Sequence, residues 1–343
     1  MAIINFSNGR EVGDFLKPYV VAELNTSHFG DIEIAKDMIT SAKLAGCDCV
    51  KFQSWSADTL YSDSYYKDNP ISRRIVSKFA LSEGQLKDLS DYASGQQIDF
   101  ASTPYSIDEA EFLIQDCSVP FIKIASMELN NLPYLAGLAS LGAPLVLSTG
   151  MGTFEEITQA VDAILTVRNV PLVILHCTSI YPAEPSFVRL ENILGLREKF
   201  ASHPIGYSDH TVGAEIPSAS VALGACLIEK HFTLDSKRIG MDNQMATEPD
   251  VMKNMVDACH RVHSALGGPE RVLHPEEVEQ ARKMRRSMVS RMDLKAGMRL
   301  KPEHIEFKRP GDGITPAEFS FYLGKVIKND LEKGSLITKG NLS

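Results

Sequence analysis

The sequence holds no run of about 18 apolar residues, the length a helix needs to cross a bilayer, so no membrane span is expected. Residues Met1 to Gly13 lack the basic start and apolar core of a secretion signal, and a cytoplasmic location is expected. Six cysteines (Cys47, Cys49, Cys117, Cys177, Cys226 and Cys259) include no Cys-x-x-Cys pair. Several sit in apolar runs where a thiol packs as a small hydrophobe, so reduced thiols are expected. One Gly-x-Gly, within Ser148-Thr149-Gly150-Met151-Gly152, lacks the third glycine and the downstream acid of a dinucleotide site. Its glycines read instead as points of close backbone approach. The net charge of -9 is unevenly spread: residues 282 to 343 carry fourteen Lys or Arg against seven Asp or Glu. That tail is therefore +7 and the rest -16, an asymmetry that suits either a basic module docking on an acidic body or attraction of an anionic substrate.

What is present is a recurring short apolar run. Eight occur in the first two thirds: Tyr19 to Glu23, Cys49 to Gln53, Asp99 to Thr103, Phe121 to Ser126, Pro144 to Thr149, Leu172 to Thr178, Pro204 to His210 and Cys226 to His231. Their ends carry Glu23, Lys51, Lys123, His176, His210 and His231. Helical patterns alternate with them, as in Ile32 to Ala45, with Gly46 at its C′ position, and Glu155 to Thr166, preceded by a Thr153/Glu156 capping box. Right-handed βα crossovers give a parallel sheet, and eight units favour a closed (β/α)8 TIM barrel over an open sheet. In such a barrel all strand C-termini face one rim, so catalysis is the default reading.

The connection from Gln53 to Asp99 is long, and its polar, tyrosine-bearing stretch Tyr61 to Pro70 reads as a lid or a surface excursion. After a helix over Pro249 to Leu266, Gly267-Gly268-Pro269 breaks the pattern and a charged helix, Pro275 to Arg285, follows. The expected division is a barrel over 1–283, with 267–285 as linker region, and a small β-rich module over 286–343 that starts with a strand at Ser287 to Ser290. So short a module has a thin core.

His210 and His231 end neighbouring runs, and strands about 4.8 Å apart let two such imidazoles share a divalent ion with positions left open for substrate and water. Two ordinary buried histidines would look the same, and Asp209 and Glu229 read as ligands, as groups supporting ligands, or as strand-end polar residues. Lys51 and Lys123 lie inside apolar runs, where an ammonium needs an anion beside it; Thr103, Ser126, Ser148 and Ser208 could add hydroxyl donors around a phosphate or carboxylate. Either lysine could instead form a Schiff base, as in an aldolase. Glu23 and Glu128 are the candidate acid and base groups.

Together these residues resemble the sialic acid synthase (N-acetylneuraminate synthase) family, with its legionaminic and pseudaminic acid relatives. The resemblance runs through Ala22-Glu23-Leu24-Asn25-Thr26-Ser27-His28, Val50-Lys51-Phe52-Gln53, Ser102-Thr103-Pro104-Tyr105, Lys123-Ile124-Ala125-Ser126, Leu147-Ser148-Thr149-Gly150-Met151, His176-Cys177-Thr178-Ser179-Ile180-Tyr181-Pro182, Gly206-Tyr207-Ser208-Asp209-His210 and Ile228-Glu229-Lys230-His231-Phe232. The last sixty or so residues look like the family's antifreeze-like (SAF) domain, with Arg309 in Lys308-Arg309-Pro310-Gly311 at its recurring arginine. The resemblance implies condensation of phosphoenolpyruvate with an N-acetylated hexose to a nine-carbon ulosonic acid and phosphate. It implies Mn2+ or Mg2+ on His210 and His231, and phosphoenolpyruvate held by Lys51, Thr103, Lys123, Ser126, Ser148 and Ser208. It further implies proton transfer by Glu23 and sugar contacts from Gln53, Tyr181 and Asp242. A domain-swapped homodimer is implied, in which Arg309 of one chain reaches the sugar in the other chain's barrel. This sequence departs from the family at Ser27-His28, at Gly240-Met241-Asp242-Asn243-Gln244-Met245-Ala246, and in the long loop, where Asn69 is the nearest candidate for a recurring asparagine. All three places bear on the sugar.

Overall fold

Each apolar run alternates between two environments, and that alternation builds the barrel. The computed structural model describes residues Met1–Ser343, which form two units, Met1–Gly267 and Gly268–Ser343. In the first, a hairpin of β1 (Ile3–Asn5) and β2 (Glu11–Gly13) precedes eight strands: β3 (Tyr19–Glu23), β4 (Cys49–Ser54), β5 (Asp99–Pro104), β6 (Ile122–Ile124), β7 (Leu145–Ser148), β8 (Leu172–Cys177), β9 (Ile205–Asp209) and β10 (Leu227–His231). They close in the order β10-β3-β4-β5-β6-β7-β8-β9, every pair parallel, as the βα reading expects. The strands begin and end within about three residues of the apolar runs, because runs extend into the loops at either end.

Outward residues such as Val20, Val50, Phe100, Ile122, Leu147 and Ile174 pack under the helices in one continuous core. Inward residues form a second cluster at the base, where Val21, Cys49, Ala101, Phe121, Val146 and Val173 meet Phe6 and Val12 of the β1/β2 hairpin. The hairpin therefore caps the lower end with apolar side chains. Two residues further along five of the strands the same inward column turns polar: Val21 gives way to Glu23, Cys49 to Lys51, Ala101 to Thr103, Phe121 to Lys123, and Val146 to Ser148, whereas on β8 Val173 is followed by Leu175. The period of two thus places Glu23, Lys51, Thr103, Lys123 and Ser148 above the apolar base, on the inner face of the barrel. Gly206, on β9, has an interior reason for its identity: a Cβ there would stand 2.5 Å from Leu175 Cδ2 and 2.7 Å from the Leu227 carbonyl oxygen.

Helices cover the outside. Ile32–Leu44 buries Ala35, Met38, Ile39 and Ala42, and Phe154–Val167 starts at Thr153 with the reciprocal Thr153/Glu156 box intact. The long connection after β4 folds into helices Ala57–Leu60, Asp63–Asp68, Pro70–Phe79 and Glu83–Gly95. The helix Pro249–Leu266 ends the first unit.

The second unit contains helix Pro275–Met284, whose Arg282 binds Asp312 (2.9 Å) and whose Arg282 carbonyl accepts from Gly311 N (2.7 Å). β11 (Ser287–Ser290) pairs antiparallel with β12 (Ile305–Lys308). Its core is small: Met288, Leu294, Leu300, Ile305, Ile314, Ile327, Ile337 and Leu342.

Candidate active site

Strand register brings the polar column together. Glu23 pairs across to Lys51 on one side and to His231 on the other, and Ser208 stands opposite Glu229. Above this layer lies a cavity of about 400 Å³ lined by Glu23, Lys51, Gln53, Thr103, Lys123, Ser126, Ser148, Tyr181, Ser208, His210, His231 and Asp242, twelve of the residues singled out from sequence. A wider hollow of about 1040 Å³ over the helices between Asp58 and Lys78 contains none of them, so the chemistry belongs to the barrel mouth.

The lysines are buried and fully engaged. Lys51 Nζ lies 2.5 Å from Glu23 Oε2, donates to Thr103 Oγ1 (3.0 Å) and is 3.8 Å from Glu229 Oε2. Lys123 Nζ donates to Ser148 Oγ (2.7 Å) and to the Ile124 carbonyl (3.0 Å), and is 3.8 Å from Glu229 Oε1, which also accepts from Ser208 Oγ (2.9 Å). One carboxylate, Glu229, thus sits between two ammoniums. Its other oxygen is buried without a hydrogen-bond donor, facing Lys51 Nζ at 3.8 Å.

Burial and neighbours pull these groups apart in acidity. Burial raises the Glu23 pKa and the Glu229 charge adds to this, against the opposing pull of Lys51 and Gln53. Burial would raise Glu229 as well, but Lys123 and Lys51 outweigh it and hold Glu229 ionised below the usual carboxylate range. Burial and the nearby Lys51 charge bring Lys123 below an ordinary lysine despite Glu229, whereas in Lys51 the effect of burial is overcome by Glu229 and Glu23, which raise it. Two carboxylates with opposite shifts beside one another suit an acid/base role for Glu23 and a fixed charge for Glu229.

On the other wall, Gln53 Nε2 donates to Glu23 Oε1 (2.9 Å) and Tyr105 OH to Gln53 Oε1 (3.1 Å). Asn25 Nδ2 donates to Asp242 Oδ2 (2.5 Å), tying the end of β3 to the Gly240–Ala246 loop. The His210 and His231 rings are 5.4 Å apart, with Tyr181 against His210 at 4.1 Å. His210 Nδ1 donates to the Thr178 carbonyl oxygen (2.7 Å), and although burial lowers an imidazole, the Cys177 thiol and this carbonyl bring the His210 pKa above the usual histidine value. Burial and the His210 charge hold His231 well below the usual histidine pKa, so its ring is neutral. The neutral His231 ring, and His210 once binding displaces its proton, fit a divalent ion. No three His, Cys, Asp or Glu side chains are placed to hold an ion by themselves, so substrate and water would complete the coordination, as in catalytic sites.

Several residues lie elsewhere. Glu128 is on the turn Ser126–Glu128, where its Oε2 accepts from Asn131 Nδ2 (2.9 Å), and it does not line the cavity. Asn69 precedes helix Pro70–Phe79, its Nδ2 donating to the Tyr65 carbonyl oxygen (3.1 Å), and is likewise outside the lining. Arg309 belongs to the second unit, exposed beyond β12. His176, although at a strand end, points outward: it stacks on Tyr207 at 5.6 Å and bonds to the Val188 carbonyl (2.6 Å), because Leu175 and Cys177 occupy the inward phase of β8. All six cysteines are free and buried, yet Cys177 is not merely packing. It lines the cavity 3.6 Å from Ser126 Oγ, and although burial raises a thiol, His210, Ser126 and Lys123 bring its pKa down. Asn25, Trp55, Tyr105 and Cys177 line the cavity without having been singled out as site residues. Counting two residues on from Glu23, Gln53 and Thr103 reaches Asn25, Trp55 and Tyr105, and Cys177 follows Leu175 on the inward phase of β8.

Comparison with known proteins agrees with this arrangement. A sequence model of the NeuB family matches residues 38–271, and one of the SAF domain matches 285–343. N,N'-diacetyllegionaminic acid synthase of Legionella pneumophila is 36% identical, covering 95% of this chain and 94% of that protein. Pseudaminic acid synthase of Campylobacter jejuni is 33% identical, covering 99% of each. The crystal structure of N-acetylneuraminic acid synthetase from Leptospira borgpetersenii superposes with a TM-score of 0.74 at 29% identity, covering 81% of this chain and 94% of that one. The chain belongs to the NeuB family and carries a SAF domain at its C-terminal end.

Proposed function

We propose that this barrel mouth condenses phosphoenolpyruvate with the aldehyde of an N-acetylated hexose, N-acetylmannosamine or a diacetamido hexose, to give a sialic-acid-like nonulosonic acid and phosphate. The observation that carries it is the pair of buried ammoniums, Lys51 and Lys123, set among hydroxyls in the same cavity as the imidazoles of His210 and His231. In the reaction, C3 of phosphoenolpyruvate bonds to the sugar C1, a water oxygen adds at C2, and the bond from C2 to the phosphate oxygen breaks. Lys51, Lys123, Thr103, Ser126, Ser148 and Ser208 grip the anionic substrate by charge-assisted hydrogen bonds. Glu23 accepts the proton lost by the attacking water, its raised pKa making the carboxylate a stronger base, and the former aldehyde oxygen on C1 takes up a proton as it becomes a hydroxyl. Gln53, Tyr181 and Asp242 orient the sugar. A Mn2+ or Mg2+ ion on His210 and His231 would supply Lewis-acid polarisation of the aldehyde. In a domain-swapped homodimer, Arg309 of the second copy would complete the sugar-facing wall. The test is phosphate release and product mass with phosphoenolpyruvate, Mn2+ and a panel of N-acetylmannosamine, diacetamido hexoses and glucosamine. Release of phosphate with an N-acetylated sugar and its loss in His231→Ala are the expected result; undiminished turnover in that variant refutes the mechanism.

One observation favours a second reading. The depressed pKa of Lys123, caused by burial, would also suit a Schiff-base aldolase acting on related sugars. Borohydride trapping of pyruvate on Lys123 would establish it, and its failure alongside phosphate release excludes it.

A further inference from the structure

We infer that Asp209 and Lys230 are positioning residues that set the spacing of His210 and His231, the two imidazoles that the proposed function assigns to a divalent ion. The inference rests on that assignment and on a buried polar cluster behind the barrel wall. β9 and β10 are neighbours, and their register places Lys230 directly across from Asp209. Because Ser208, His210, Glu229 and His231 face the cavity, the residues between them face the helix layer. There an acid and an ammonium are 1% and 2% exposed, a costly place for charge among apolar neighbours.

Their bonds explain how they are tolerated and what they hold. Lys230 Nζ lies 2.5 Å from Asp209 Oδ2 and donates to the Thr211 carbonyl (2.8 Å). Asp209 Oδ1 accepts from Thr211 N (3.0 Å), Thr211 Oγ1 (2.9 Å) and Tyr207 OH (2.8 Å). His210 is therefore flanked by two residues that bind one another, and both bind the residue that immediately precedes His231. One ammonium fastens the chain on each side of the first imidazole to the strand that carries the second. The apolar layer alone could hold β9 against β10, but it would not fix the turn after Asp209, where no ladder bond to β10 remains.

An ion pair kept for stability and one kept for geometry answer differently to replacement. Removing both charges of a buried pair together is often neutral, and Asp209→Asn keeps an acceptor for Tyr207 and Thr211 while its amide can donate to the Thr211 carbonyl, so Asp209→Asn with Lys230→Met should still fold. Loss of groups that orient metal-binding histidines typically weakens metal affinity by about 10- to 100-fold. The experiment measures binding of Mn2+ alone, from the electron paramagnetic resonance signal of the free ion, to the full-length chain. It compares wild type, Lys230→Met, the double variant and His231→Ala, with circular dichroism on each. The expected result is a double variant that melts close to wild type, binds Mn2+ about 10- to 100-fold more weakly and shows an altered bound-ion spectrum. Wild-type affinity in the folded double variant overturns the inference. So does an affinity loss that appears only in parallel with loss of structure, since the pair would then be structural. If His231→Ala binds Mn2+ as tightly as wild type, the assignment of the ion to these imidazoles fails first, and this inference falls with it.

Discussion

His28 sits buried behind β3, and its Nδ1 accepts a hydrogen bond from Gly30 N (3.1 Å), a bond that only the neutral ring can accept at that nitrogen. Burial lowers its pKa to about 4 from the usual 6.5. A base whose folded pKa is depressed stabilises the fold above the unfolded pKa and loses that contribution as pH falls toward the folded value. The window is therefore pH 6.5 down to about 4, worth on the order of 3 kcal/mol by linkage. In His28→Gln, urea midpoints measured across that window should decline less steeply with acid than in wild type, the difference between the two curves isolating His28 from the other buried histidines. Lys123 makes a separate prediction. Replacing it by Met removes a charge from the centre of the anion grip and leaves Glu229 without one of its two cations, so kcat/KM for phosphoenolpyruvate should fall by about 100- to 1000-fold. Steady-state kinetics would show it, with the melting temperature reporting whether the fold survives.

At the scale of the element, a strand does two jobs at once, and the sequence reveals one more plainly than the other. Where strands lie was legible, because β-branched runs bounded by helical patterns have few other solutions, and β3 spans the same residues as its apolar run. Which face a residue takes was legible only where polarity broke an apolar run: Lys51 and Lys123 announced themselves, whereas Trp55, Tyr105 and Cys177 did not, since apolar or thiol side chains at an inward position look like core. His176 erred the other way, being polar on the outward phase, where a carbonyl and Tyr207 satisfy it. The Gly240–Ala246 loop has no period, and the bond that places it, Asn25 to Asp242, spans residues far apart in the chain. β9 gives the element's own test. With Leu175 Cδ2 and the Leu227 carbonyl oxygen too near any Cβ, Gly206→Ala must push β9 from its neighbours, and chemical denaturation should show a loss of about 1 to 3 kcal/mol.

At the scale of the whole molecule, the two units differ in charge and in what each offers a substrate. The barrel unit supplies the ammoniums, carboxylates and imidazoles of the cavity, and the SAF domain offers an exposed Arg309. If the proposed homodimer exchanges SAF domains, a chain defective in its barrel and a chain defective in its arginine can repair one site between them. His231→Ala spoils the barrel of one chain, and Arg309→Ala spoils the contribution of the other. Denatured together in equal amounts and refolded, half of the dimers are mixed. In each mixed dimer the intact barrel receives the intact Arg309 while the other barrel receives neither ion nor arginine, so roughly a quarter of wild-type activity should return. Either variant refolded alone should stay near its own low level. Were Arg309 to serve its own chain's barrel, no site in the mixture would hold both groups, and the mixture would show only the average of the two parents.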